Sequence, residues 1–198
     1  DYPMLEDVAD VRQGLATGDD KRFLRKWWEV SEEDLANKYA NYQKSGSQEP
    51  FYDIADDFLL WENDGEEIRN SDGGNGTPNE QFYFTSGLTY RNFGNYLVAR
   101  LFTEEMIFSQ TAIYVQSEDI NRKYLIGALN SILYRFIANG INPGLHFEAG
   151  DGKRFPIKTD PRNEEEVVEH VESAIQSRKQ IAKLDELGSD FSSEKFSN

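Results

Sequence analysis

The chain has 198 residues, two histidines, no cysteine and a formal net charge of −15. Without cysteine there is no disulfide, zinc–thiolate site or thiol nucleophile, and two histidines cannot build a His-rich metal site. No apolar run approaches the roughly 20 residues that span a bilayer, and no signal-peptide pattern opens the chain, so no membrane partner and a cytoplasmic location are expected.

Leu5–Gln13 alternates loosely, with Val8 and Val11 apolar, and predicts a strand. Gly14–Asp20 follows as a loop. Phe23, Leu24, Trp27 and Trp28 form an apolar cluster interleaved with Lys21, Arg22, Arg25 and Lys26. Trp27, Trp28 and Trp61 read as core residues rather than stacking platforms. Ser31 before Glu32, Glu33 and Asp34 is a helix-start signal. Asn41–Pro50 reads as a polar loop, Phe58–Trp61 as a short strand and Asn63-Asp64-Gly65 as a turn. Ser71–Glu80, sequence SDGGNGTPNE, is too polar and glycine-rich to pack and predicts a mobile loop.

Four β-rich runs follow, Phe82–Phe84, Tyr96–Phe102, Met106–Phe108 and Ala112–Val115, and suggest a mainly antiparallel sheet. Tyr124, Leu125, Ala128, Leu129, Ile132, Leu133 and Phe136 recur at helical spacing. They predict one central helix from about Ile120 to Ala138, capped by Asp119 and ended by Gly140. A last helix starts at Asn163, carries acid at its beginning and Arg178, Lys179 and Lys183 near its end, as the helix dipole favours. Val168, Val171, Ile175, Ala182 and Leu184 stripe it, and Gly188 stops it. The expected fold class is α+β, a mixed, mainly antiparallel sheet with a packed central helix and a C-terminal connector helix. The expected division is a domain over 1–160, the connector over 161–188 and a disordered polar tail over 189–198.

Chemistry-bearing groups gather in three segments. Thr17, Lys21, Arg22, Arg25 and Lys26 form the first. Thr89, Tyr90, Arg91, Asn92 and Asn95 form the second, read as a loop between β-rich runs. Lys44, with Ser45 and Ser47, forms a third. Arg suits guanine edges, Asn suits adenine, and Lys and Arg hold phosphates. The glycines at Gly73, Gly74 and Gly76 follow no predicted strand and open no helix, so they do not make a nucleotide loop. No catalytic, cofactor-binding or metal-ligating set is expected.

Four stretches, in order, resemble one family. They are VRQGLATGDDKRFLRKWWEV from Val11, WENDGEEIRN from Trp61, GLTYRNFGNYLVARLF from Gly87, and LNSILYRF from Leu129 with INPGLHFEAGDGKRFPI from Ile141. Together they resemble the target-recognition region of adenine-N6 DNA methyltransferases of the BREX phage-defence and type IIG restriction–modification kind, related to type I specificity subunits. The resemblance implies a DNA-binding role that confers target specificity. S-adenosylmethionine would be used by the parent enzyme and no cofactor by this piece. The implied partners are double-stranded DNA, the methyltransferase domain of the same parent chain and defence-system proteins. The Asn-Pro-Pro-Tyr catalytic motif is missing, Asn142-Pro143 running on into Gly144 and Leu145. With Asp1 as its first residue, the chain reads as a piece of a larger protein, inactive by itself.

The charge of −15 opposes DNA binding, because recognition modules usually carry a basic footprint. Either the acid lies away from the DNA, as Glu164, Glu165, Glu166, Glu169 and Glu172 suggest, or the source is halophilic and screening shortens to about 3 Å at molar salt. An acidic interaction or DNA-mimic domain is the alternative. A carboxylate-based hydrolase, from pairs such as Asp19-Asp20, Asp56-Asp57, Glu66-Glu67 and Glu104-Glu105, is the second. Neighbours in a strand point to opposite faces, so adjacency alone does not make a site.

Overall fold

A computed structural model describes residues 2–158 and 161–184. Among the described residues, eight strands form two four-stranded sheets. The first sheet has the order β1-β8-β5-β6 and is antiparallel throughout, with β1 Asp10–Arg12, β5 Gly87–Arg91, β6 Ala99–Phe102 and β8 Ala112–Gln116. The second has the order β2-β4-β3-β7, with β2 Leu24–Lys26, β3 Tyr39–Gln43, β4 Asp57–Leu60 and β7 Met106–Phe108. Only its β3–β7 pair is parallel. The α+β class and the mainly antiparallel pairing agree with the sequence reading.

The first sheet is the middle layer, and strand alternation explains how. On β8, Ile113 and Val115 face a core shared with the helices, while Tyr114 faces the second sheet among Phe102, Phe108 and Tyr83. On β6, Ala99 and Leu101 join the first core and Phe102 the second. Tyr114 and Phe108 stack with centroids 4.7 Å apart. A residue of this kind touches both sheets, so truncating it opens a cavity rather than a surface.

The chain departs from several expectations. Leu5–Val8 is a helical turn, α1, ahead of the short β1. Asp20–Phe23 forms α2, and Glu32–Lys38 forms α3, capped as expected by the Ser31 hydroxyl accepting from Asp34 N. Asn41–Gln43 belongs to β3 rather than to a polar loop, because Tyr42 and Gln43 are buried between neighbouring strands. Helix α4 (Glu62–Arg69) contains the turn at Asn63-Asp64-Gly65, all three with positive φ. Phe82–Phe84 is not a strand; the strand is Gly87–Arg91. Ser71–Glu80 is irregular yet docked. The Asn75 side chain accepts from Ala16 N at 2.6 Å and donates to Gly14 O at 3.1 Å, and Asn79 donates to Gln13 O at 2.8 Å. Asparagine amides replace the apolar contacts whose lack suggested that this loop would not pack.

The predicted central helix is two helices, α5 (Arg122–Asn130) and α6 (Ile132–Ile141). Asn121, not Asp119, caps the first, and Gly140 lies inside the second. The break is at Ser131, whose ψ of 157° is extended and whose hydroxyl caps α6. Asn130 explains why the chain stops there. Its amide accepts from Ala99 N at 2.9 Å and donates to Ala99 O at 2.8 Å, so it mimics a neighbouring strand at β6. The break resets the helical phase. Leu125 and Leu129 of α5 are buried, but α6 buries Tyr134 and Ala138 and leaves Ile132, Leu133 and Phe136 exposed.

Ala149–Lys153 forms α7. The last helix, α8, runs Pro161–Ala182 and lies along α5, burying Val171 and Ile175. Gly127 permits that closeness: a Cβ there would sit 2.7 Å from Val167 Cγ1. The expected stop at Gly188 and the polar tail from Ser189 lie outside the described residues. Among the described residues no helix is long and apolar enough to cross a membrane.

Candidate nucleic-acid interface

The three candidate segments, far apart in sequence, meet along one hydrogen-bonded ridge. At one end, Asp20 takes a hydrogen bond from the Thr17 hydroxyl and a 2.8 Å ion pair from Lys44 Nζ. Burial pushes the Asp20 carboxyl up, but Lys44 and Thr17 outweigh it and hold it below the usual carboxylate value. The loop beneath is pinned from behind by Tyr42 on β3, whose hydroxyl donates to Leu15 O at 2.6 Å. Burial drives the Tyr42 phenol far up, so it stays a neutral donor. From Lys44 the ridge continues through Ser45, whose hydroxyl donates to Thr111 O at 2.7 Å and lies 3.3 Å from Asn92 Oδ1. Arg91 closes it, donating to Ser47 O at 3.0 Å.

Arg100 organises the middle. It is 2% exposed, on β6, and its guanidinium donates to Glu49 O at 2.7 Å, Ser45 O at 2.6 Å and Ser47 O. Asp53 stands 3.4 Å away as counter-charge. Burial pulls its pKa down to about 10, against the pull of Asp53, and still leaves it charged near neutrality. Gly46, at φ +63°, leaves the space that the guanidinium fills: a Cβ there would lie 2.4 Å from Arg100 Nη1. The sequence reading missed Arg100. Its signal was a single arginine inside the apolar run Leu97–Phe102, where a buried charge demands partners.

The individual candidates divide by how they are held. Lys21 and Asn95 are exposed. Arg22 pairs with Glu67 at 2.8 Å, Lys26 with Asp57 at 3.0 Å and Lys44 with Asp20. Arg25 folds back, donating to Leu24 O at 2.6 Å and Lys21 O at 2.8 Å. Thr89, Tyr90 and Arg91 lie on β5, the strand between β8 and β6, not on a loop. Tyr90 is fully buried, its hydroxyl donating to Glu148 O at 3.1 Å; burial first, then Asp151 and Glu148, push its pKa well up. Thr17 and Asn92 are buried as well. Thr17 and Asn92 support the ridge from within, whereas Tyr90 packs in the helix-side core; of the candidates, Arg91, Asn95 and the cations of the first and third segments reach the surface. The reason is strand alternation with apolar neighbours on both sides, which the Gly-Leu-Thr-Tyr stretch hid behind its polar end.

The tryptophans also differ from expectation. Trp27 and Trp61 are half-buried, but Trp28 is 54% exposed, edge-on to Trp27 with centroids 5.7 Å apart. The adjacent carboxylates are split among separate tasks: Asp19 caps α2 while Asp20 binds Lys44, and Glu67 binds Arg22. No cluster of three or more His, Asp or Glu with metal-holding geometry occurs among the described residues. The Asn-Ser and Asn-Pro stretches near the middle of the chain are architectural. Asn130 clamps β6, and Asn142 accepts from Gly144 N and donates to His146 O at 2.7 Å and Asp151 at 2.9 Å.

No family model matches the chain. A curated relative, an adenine-specific methyltransferase named BrxX from Escherichia coli O9:H4 (strain HS), is 26% identical over 145 residues. The match covers 68% of this chain and only 12% of that protein. The likeness supports a methyltransferase-related region.

Proposed function

We propose that this chain reads DNA sequence for an adenine-N6 methyltransferase of a restriction–modification or phage-defence system. Duplex DNA is its ligand, and S-adenosylmethionine and the bond-making groups belong to another part of a longer polypeptide. The likeness to the adenine-specific methyltransferase carries this reading, and the convergence of three polar segments on one ridge supports it. In this reading Lys21, Arg22, Arg25, Lys26 and Lys44 hold phosphates. Arg91 and Asn95 face base edges, and Thr17 and Asn92 fix the ridge beneath them.

The ion pairs do not forbid this. Exposed pairs such as Arg22–Glu67 are worth about 0–1 kcal/mol, so a phosphate competes for the same guanidinium at little cost. The test is to map methylated adenines in the parent enzyme carrying Arg91→Glu or Lys21→Glu. Loss or redistribution of methylation is expected. An unchanged map with both replacements overturns the assignment of these segments. Binding of the isolated chain to duplex DNA should weaken steeply between about 50 and 200 mM salt.

One observation favours a second reading, an acidic protein-interaction domain: Arg22, Lys26 and Lys44 each already have a carboxylate partner. It predicts no duplex binding even at low salt.

A further inference from the structure

The helical side of the molecule carries an open apolar cleft that the DNA reading does not use. It lies between α5 and α8, has a volume of about 600 Å³, and is walled by Phe51, Tyr124, Ala128, Val167 and Val171. Asn130, Ser131, Glu166 and His170 supply its polar atoms. A cleft of this size falls within the roughly 300–1,000 Å³ of ligand sites, apolar with a few placed polar groups.

Phe51 is held in an unfavourable backbone conformation, φ 74°, which bulky residues rarely adopt. It is kept there by pairing with β6, donating to Ala99 O at 3.0 Å and accepting from Leu101 N at 2.9 Å. Strained residues of this type concentrate at binding surfaces.

The apolar surface continues past the cleft. Ser131 is in its wall, and the next residue, Ile132, is 84% exposed; Phe136, one turn on, is 78% exposed. At 100° per residue both lie opposite the buried Tyr134 and Ala138. Apolar residues arranged this way on a surface mark interaction sites. The rim has the opposite character. From Asn163 to Ser177, α8 has no Lys or Arg but carries Glu164, Glu165, Glu166, Glu169 and Glu172, the last already paired with Lys123 of α5.

We propose that this cleft and the adjoining face of α6 dock a basic amphipathic helix of a protein partner, with apolar residues in the cleft and Lys or Arg over the α8 carboxylates. Apolar anchors at i, i+3, i+4 and i+7 suit such a groove. Charge selects the occupant. A second copy of this chain would bring a net charge of −15 to an acidic rim and is disfavoured. The proposal stands whether or not the chain binds DNA.

The test uses the 198-residue chain and a synthetic helix of about 18 residues, long enough to fold on binding. Leucines occupy one face and lysines the other. A control peptide replaces every lysine with glutamate. Anisotropy should show saturable binding of the lysine peptide alone, with amide shifts at Gly127, Ala128 and Ser131. Phe136→Asp, an exposed change that spares the core, should weaken binding by about tenfold. Glu166→Lys with Glu169→Lys should weaken it similarly and flatten its salt dependence. Equal affinity for the glutamate peptide, no binding, shifts confined to other surfaces, or full affinity in both variants would each overturn the proposal. Duplex binding by the same variants separates this outcome from the fate of the DNA reading, because both replacements lie outside the ridge.

Discussion

Arg100 and the cations of α2 and β2 use the same chemistry in opposite settings. Arg100 is buried, and its donors end on backbone carbonyls of the 45–49 loop. Arg22 and Lys26 are on the surface and end on single carboxylates. A guanidinium locked to carbonyls cannot leave without stranding them. A surface cation that loses its carboxylate returns to water or takes a phosphate. Position in the layers, rather than residue type, therefore decides which arginine builds the ridge and which can bind with it.

The largest effect should come from Arg100→Met. It keeps apolar volume but strands the Ser45 and Glu49 carbonyls, leaves Ser47 O to Arg91 alone, and leaves Asp53 without its counter-charge. Removing one partner of a buried, hydrogen-bonded charge costs about 3–5 kcal/mol. Urea unfolding should show this loss, and an unchanged midpoint would mean that the ridge is held from elsewhere. Lys26→Met, on the surface side of the comparison, should cost about 0–1 kcal/mol in the same assay.

Asn130→Ala should come next. Ala99 N loses the Asn130 acceptor at the edge of the first sheet, while Ala99 O keeps the Phe51 N–H. A buried backbone group left unsatisfied costs about 1–3 kcal/mol. Faster hydrogen exchange at Ala99 than at Thr89, on the neighbouring inner strand β5, would mark the lesion as local; uniform loss of protection would mean that α5 and β6 unfold together.

Asn130 also shows what was legible in advance. The apolar spacing from Tyr124 to Phe136 gives helix in both halves. What it does not give is the break, because an asparagine that pairs with a strand looks, in sequence, like an ordinary polar helix position. One extended ψ at Ser131 then turns Ile132 and Phe136 from expected core to surface. The ridge shows the same limit. Its residue types were legible, since donors for bases and phosphates are few, but Lys44–Asp20 and Ser45–Asn92 are long-range contacts with no local signal. Buried Tyr90 and Asn92 read as loop residues only because the strand's polar end follows its apolar start.

A smaller effect depends on pH. The Asp20 carboxyl sits below its ordinary value when folded, so it contributes stability above the usual carboxylate range and loses it as pH falls through the lowered value. Asp20→Asn should therefore be slightly less stable than the native chain near neutrality and equal to it in strong acid. The pair is largely exposed, so the gap should stay within about 1 kcal/mol. A gap that persists in acid would assign it to geometry of the Thr17–Asp20 turn rather than to charge.

Trp28→Ala should matter least to stability. The side chain is 54% exposed, and its ring meets Trp27 edge-on with centroids 5.7 Å apart. Surface changes of this kind usually stay within about 0.5 kcal/mol. The replacement is still informative, because Trp28 follows Lys26 and Trp27 directly. If the segment holds DNA through charge alone, Trp28→Ala should leave duplex and single-strand affinity as they were. A selective loss for single strands, where base–aromatic stacking is worth about 1–3 kcal/mol per base, would instead give this exposed ring a part in binding and shift the comparison with Arg100 from charge to surface shape.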